Sequence, residues 1–142
     1  MLSTVLWEQR TQKMYDKTVL TPRLTAWYGE AKSYNSADSN ITKHNEWTPE
    51  LYDLKERIEK EFDYQFNGVL LNLYRDNNDS VAWHRDKESR YGKRPVIASI
   101  SLGQTRNFDF RKKGSSPEQI QPSASPRIAA HHERGSTGKL GT

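Results

Sequence analysis

At 142 residues the chain has room for one domain, and 33% hydrophobic content with a mean hydropathy of −0.99 is lean for a packed core. Lys and Arg number 22 against 18 Asp and Glu, a net charge of +4 that fits either a solvated basic face or attraction to nucleic acid. The lack of cysteine excludes disulfides and thiolate metal sites, so any metal must be held by imidazole and carboxylate; with no signal peptide and no membrane-length apolar run, the expected location is cytoplasmic, off the membrane.

The first strong element in chain order is a helix. Thr48 has the chemistry of an N-cap, Pro49 suits the first helical position, and Leu51, Leu54, Ile58 and Phe62 recur at spacings that line one face. Residues 66–74 follow, aliphatic on both faces, and read as a buried strand that ends at a turn over Asp76, Asn77, Asn78 and Asp79. The next strand carries His84 and Asp86. Residues 95–102 and 106–111 read as two more strands, joined through Gly103, Gln104 and Thr105, and four short strands with short links predict a sandwich or barrel.

On an extended strand, residues two apart share a face, so His84 and Asp86 can reach one cation while Trp83 and Arg85 point away. One imidazole and one carboxylate are two-thirds of the triad that holds Fe(II) with positions open for a cosubstrate and oxygen. By itself the pair is weak evidence. Asn72 and Tyr74 share a strand face in the same way, and an Asn inside a buried strand needs a polar partner or ligand. Trp27 and Tyr28 fit core packing as well as substrate contact. Arg106, Arg111, Lys112 and Lys113 fit phosphate contact as well as an exposed basic strand end. His44, in the loop before the helix, reads as a surface residue.

Taken together, residues 66–75, 79–86, 95–103 and 106–113, with the upstream run Pro22-Arg-Leu-Thr-Ala-Trp-Tyr-Gly-Glu30, closely resemble the AlkB family of Fe(II)- and 2-oxoglutarate-dependent nucleic-acid dealkylation dioxygenases. The resemblance spans about residues 20–113 and lies nearest the branch that repairs 1-methyladenine and 3-methylcytosine in DNA. It implies an α+β fold: a double-stranded β-helix (jelly-roll) core with an N-terminal packing helix, the barrel incomplete at the C-terminus. It also implies that His84 and Asp86 hold Fe(II) and that Asn72 and Tyr74 hydrogen-bond 2-oxoglutarate. Glu88 matches the position that reads the exocyclic amine of a damaged base and Tyr34 the position of an aromatic against a flipped base; Arg106 is, from its charge alone, the substrate-binding candidate of the basic group. Around Tyr34 the run Asn35-Ser36-Ala37-Asp38 departs from the family's aromatic-rich pattern; Lys87 also departs, on the face opposite Asp86 and Glu88. A monomer acting on alkylated DNA or RNA is the implied state.

Past Lys113 the character changes. In residues 114–142 the large aliphatics are Ile120, Ile128 and Leu140, set among Gly, Ser, Pro and charge, so the segment reads as an irregular, disordered tail to a partial dioxygenase domain of residues 1–113. The family's second iron His and cosubstrate arginines are absent from it as written. Read one nucleotide onward, however, the codons of residues 125–142 permit Arg-His-Gly-Ser-Leu-Leu-Ile-Met-Arg-Gly and then Ala-Asn-Trp, an AlkB-type strand. His131, His132 and Glu133 are diagnostic, because two His codons followed by a Glu codon yield only Ile or Thr and then Met or Thr in that frame. A frameshift near residues 123–125 is the expectation. His131 and His132 themselves read as solvated tail residues rather than the third ligand. An inactive fragment, or a basic nucleic-acid-binding remnant without catalysis, is the alternative to an active demethylase.

Overall fold

The computed structural model describes residues 3–30, 45–84, 96–112, 118–120, 127–132 and 136–140. Its first pairing is a hairpin of β1 (Thr11–Met14) and β2 (Lys17–Leu20), in register from Thr11 opposite Leu20 to Met14 opposite Lys17. That register leaves Tyr15 and Asp16 as a two-residue turn, with Tyr15 at φ 55° and its side chain fully in solvent. Positive φ is the conformation that matches a tight hairpin to the twist of its strands, though a Tyr adopts it at some cost.

After Thr21, whose hydroxyl and amide both bond the Arg10 carbonyl, β3 (Leu24–Gly29) runs antiparallel to the later strand β4 (Gly68–Leu73). The register pairs Thr25 with Asn72, Ala26 with Leu71, Trp27 with Leu70 and Tyr28 with Val69. Because side chains alternate along a strand, the ribbon has two unlike faces. Ala26, Tyr28, Val69 and Leu71 join Val5, Trp7, Trp47 and Leu51 in a hydrophobic cluster. Thr25, Trp27, Leu70 and Asn72 occupy the other face. Gly29 and Gly68 close the ribbon's end at short range: a Cβ on Gly29, which sits at φ 148°, would lie 2.6 Å from the Asn67 carbonyl oxygen.

Helix α1 (Pro49–Phe62) starts and stops as its sequence dictates. The Thr48 side chain accepts the Leu51 amide at 3.3 Å, and Asp63 ends the helix in the left-handed region with its N–H on the Glu59 carbonyl. Leu51 and Ile58 are buried, and Leu54 and Phe62 half-buried on the same stripe. Lys55 pairs with Glu59 at 2.9 Å, and Glu59 also accepts the Phe66 amide, tying the helix to the segment that enters β4. Burial pushes the Glu59 carboxyl up, but the Phe66 amide, the Lys55 hydrogen bond and the Lys55 charge outweigh it and hold the group below the usual carboxylate range. A depressed folded-state value contributes stability that is complete above the ordinary Glu value of about 4.3 and lost as pH falls through the lower one. Thermal melts across that acidic window should therefore show a smaller pH dependence for Glu59→Gln than for the unaltered chain. Equal slopes would mean that the carboxylate does not carry the effect.

Residues 76–84 contain turns and a single β-bridge position at His84 rather than the strand expected to carry His84 and Asp86; Asp86 lies outside the described residues. Val81 and Trp83 have strand propensity but Ala82 between them does not, and such propensity is weak against context. β5 (Val96–Ser101) and β6 (Phe108–Lys112) appear where two strands were expected, with Gly103 at φ 84° in the link between them. The strand expected over 66–74 is trimmed to 68–73 and is not buried on both faces, since Leu70 is 42% exposed and Asn72 is exposed. The cause is the two-stranded ribbon, which presents only one face to the hydrophobic cluster.

The tail also departs from expectation. Within residues 114–142, read as irregular, lie β7 (Glu118–Ile120), β8 (Arg127–His132) and β9 (Ser136–Leu140). β8 pairs antiparallel with β5, and β6 lies between β7 and β9. These strands take their order from pairing with β5 and β6, not from a hydrophobic alternation of their own. The chain forms two compact units, Met1–Asp76 and Asn77–Thr142. Antiparallel strands and one helix give the expected α+β character, but among the described residues the strands form four separate small sheets and no closed barrel. No described helix is long and apolar enough to cross a membrane.

Candidate functional site

On the face of the β3–β4 ribbon away from the hydrophobic cluster, Arg23 reaches across the strand pair and its Nε–H donates to Asn72 Oδ1 at 3.2 Å. A guanidinium has donors and no acceptor, so the amide atom it meets must be the oxygen. Asn72 therefore turns its NH2 away from Arg23. Beside it, Thr25 stands directly opposite Asn72 in the register, and Trp27 lies two residues further along the same face with its ring over Gly68. Thr25 is 3% exposed and Trp27 7%, and among the described residues neither the Thr25 hydroxyl nor the Trp27 indole nitrogen has a hydrogen-bond partner. Burying such groups unpaired costs about 1–3 kcal/mol each.

Tyr74, half-buried, follows two residues after Asn72, just past the end of β4. Trp27 and Tyr28, which sequence left open between core and contact, are both buried: Tyr28 lies in the hydrophobic cluster, its hydroxyl accepting the Leu6 amide at 3.0 Å, and Trp27 is buried on the opposite face of the ribbon. Arg23 was missed. Nothing in the sequence around Pro22-Arg23-Leu24 signals a partner 49 residues away, a pairing that exists only once β3 and β4 are aligned.

In the second unit His84 is exposed, with Nδ1 3.0 Å from the Ala82 carbonyl oxygen. A carbonyl only accepts, so a hydrogen bond here is donated by Nδ1–H. Among the described residues no three His, Asp, Glu or Cys side chains gather into a metal-binding group. Asp86, Glu88 and Tyr34 lie outside the described residues. Arg106 donates through Nη2 to the Asp79 carbonyl, 27 residues earlier, and so ties the approach to β6 to the turn before His84. His131 and His132 occupy strand β8, at register positions opposite Ile97 and Val96, rather than an unstructured tail.

The profile of the 2OG-Fe(II) oxygenase superfamily matches residues 3–126, most of the chain, including the Asn72-x-Tyr74 and His84-x-Asp86 pairs. Mouse alpha-ketoglutarate-dependent dioxygenase alkB homolog 3 is 48% identical over 109 residues, covering 77% of this chain. The chain belongs to the AlkB family of 2OG-Fe(II) dioxygenases. The human alkB homolog 3 matches equally well, and DNA oxidative demethylase ALKBH2 of Arabidopsis thaliana is 33% identical over 112 residues, or 75% of this chain. Matched regions make up 38% of the mouse and human relatives and 35% of the plant one, so this AlkB-family chain spans well under half of each. Its donor set suits the family's groups in part. The Asn72 amide has N–H donors, as an anionic cosubstrate requires, and His84 supplies an exposed imidazole.

Proposed function

We propose that the gene behind this chain encodes an oxidative demethylase of alkylated nucleic-acid bases, 1-methyladenine and 3-methylcytosine, on a double-stranded β-helix core, and that the chain as written has little or no activity. The observation that carries the reading is the family match over residues 3–126, which takes in both paired motifs. His84 and Asp86 would hold Fe(II), and Asn72 and Tyr74 would hydrogen-bond 2-oxoglutarate. When bound, these two groups supply the oxidation that hydroxylates an N-methyl carbon, which leaves as formaldehyde. The protein's part is to hold and orient. Glu88 accepts a hydrogen bond from the base's exocyclic amine, Tyr34 stacks on the base, and Arg106 neutralises a phosphate.

The low activity follows from what residues 114–142 lack as written: a second iron His and an arginine pair for the cosubstrate. Codon degeneracy permits an AlkB-type strand after a one-nucleotide shift near residues 123–125, and the family match stops at residue 126, beside that point. Two chains test the proposal: the 142-residue protein and its frame-restored counterpart, each assayed for Fe(II)-dependent conversion of 2-oxoglutarate to succinate with a 1-methyladenine oligonucleotide. Turnover by the restored protein alone is expected. Turnover by the chain as written would make His131 or His132, both on β8, the third ligand. Salt-dependent oligonucleotide binding with no turnover in either form would identify a binding remnant.

A further inference from the structure

Asn72 is an exposed side chain on a two-stranded ribbon, and left alone its amide would rotate and present oxygen or nitrogen to a ligand with equal ease. Arg23 removes that freedom. Its Nε–H meets Asn72 Oδ1 at 3.2 Å, and since arginine has no acceptor, the opposite amide orientation would set donor against donor. We infer that Arg23 is a positioning residue that locks the Asn72 amide with its NH2 turned toward the 2-oxoglutarate carboxylates.

The inference rests on the proposed role of Asn72 and adds a residue outside both paired motifs. Three features of the face support it. Arg23 enters from the start of β3 while Asn72 sits near the end of β4, so the bond forms only in the native register, Leu24 opposite Leu73 and Thr25 opposite Asn72. Thr25 Oγ1 and Trp27 Nε1 on the same face are buried and closed to a ligand, so the exposed Asn72 amide is the polar group that this strand pair offers there. The guanidinium also places positive charge next to the amide, which favours an anionic ligand over a neutral one. Charge and amide orientation act in the same direction.

Side-chain ¹⁵N NMR on the 142-residue chain tests this. The Asn72 NH2 pair, assigned by its loss in Asn72→Asp, should be motionally restricted in the unaltered protein and should shift on titration with 2-oxoglutarate, with weak affinity on the order of millimolar. In Arg23→Met the pair should become mobile and the titration should weaken at least about tenfold, with Tyr28 and Leu51 resonances unmoved. Arg23→Lys, which keeps a charged donor group and no acceptor, should recover part of both. If Arg23→Met loses the dispersed core signals, Arg23→Gln, too short to reach Oδ1, is read by the same criterion. An Asn72 pair equally restricted, or an equal affinity, with and without Arg23 overturns the inference and leaves the proposed function standing. No 2-oxoglutarate shift in the unaltered protein would instead defeat the cosubstrate role of Asn72, and the positioning role with it.

Discussion

Tyr28→Ala is expected to lower the stability of the Met1–Asp76 unit by about 3–5 kcal/mol, because it empties the centre of the cluster that joins β3, β4 and α1. Tyr28 is 2% exposed and touches no solvent that could refill the space favourably. Its ring packs with Ala26, Leu51, Val5 and the two half-buried tryptophans Trp7 and Trp47. Small domains have only about 5–15 kcal/mol in total, so the variant loses a large share of the unit's stability. Urea unfolding followed by tryptophan fluorescence measures this. Tyr28→Phe separates packing from hydrogen bonding: it keeps the ring and removes only the acceptor of the Leu6 amide, at a cost of about 1–3 kcal/mol. If Tyr28→Phe proved as damaging as Tyr28→Ala, the hydroxyl and not the ring would anchor the N-terminal segment.

Gly29→Ala should cost about 2–4 kcal/mol, through positive-φ strain and overlap together. At φ 148° the added Cβ would stand 2.6 Å from both the Asn67 carbonyl oxygen and the Gly68 Cα, and these are backbone atoms that cannot rotate aside. Gly68→Ala makes a useful contrast. Its Cβ would meet the Trp27 ring at 2.5 Å, but a side chain can swing away, so the expected cost is smaller, about 1–3 kcal/mol. Parallel urea melts give the order directly. Gly68→Ala more damaging than Gly29→Ala would show that the Trp27 ring, and not the backbone crossing, is the immovable part of this junction.

The helix was legible because its signals are local: Thr48, Pro49 and a four-residue apolar stripe lie within one segment. The strands β4, β5 and β6 were legible as aliphatic or aromatic runs, to within a residue or two at their ends. The hairpin of β1 and β2 was not, since its Tyr15-Asp16 turn lacks the Asn-Gly or Gly signature and its strands are almost wholly exposed. β7, β8 and β9 escaped for the same reason, with too few apolar side chains to show an alternation. At the site, the His84 and Asn72 pairs stand out by spacing, yet the reasoning for Asn72 was inexact. It is not an interior Asn seeking a partner but a surface Asn already held by Arg23.

The two-faced ribbon has a consequence for the history of the gene. Folding constrains Ala26, Tyr28, Val69 and Leu71, while the proposed cosubstrate role rests on Asn72 and Arg23 on the other face, so two kinds of selection would be interleaved along the same two strands. A lineage that had stopped demethylating but still needed a folded product would let the second set drift and keep the first. In a lineage with a working enzyme both would hold. Aligning close orthologues over residues 23–28 and 69–72 would thus date the loss of activity, if there was one, from the alternation of substitutions alone.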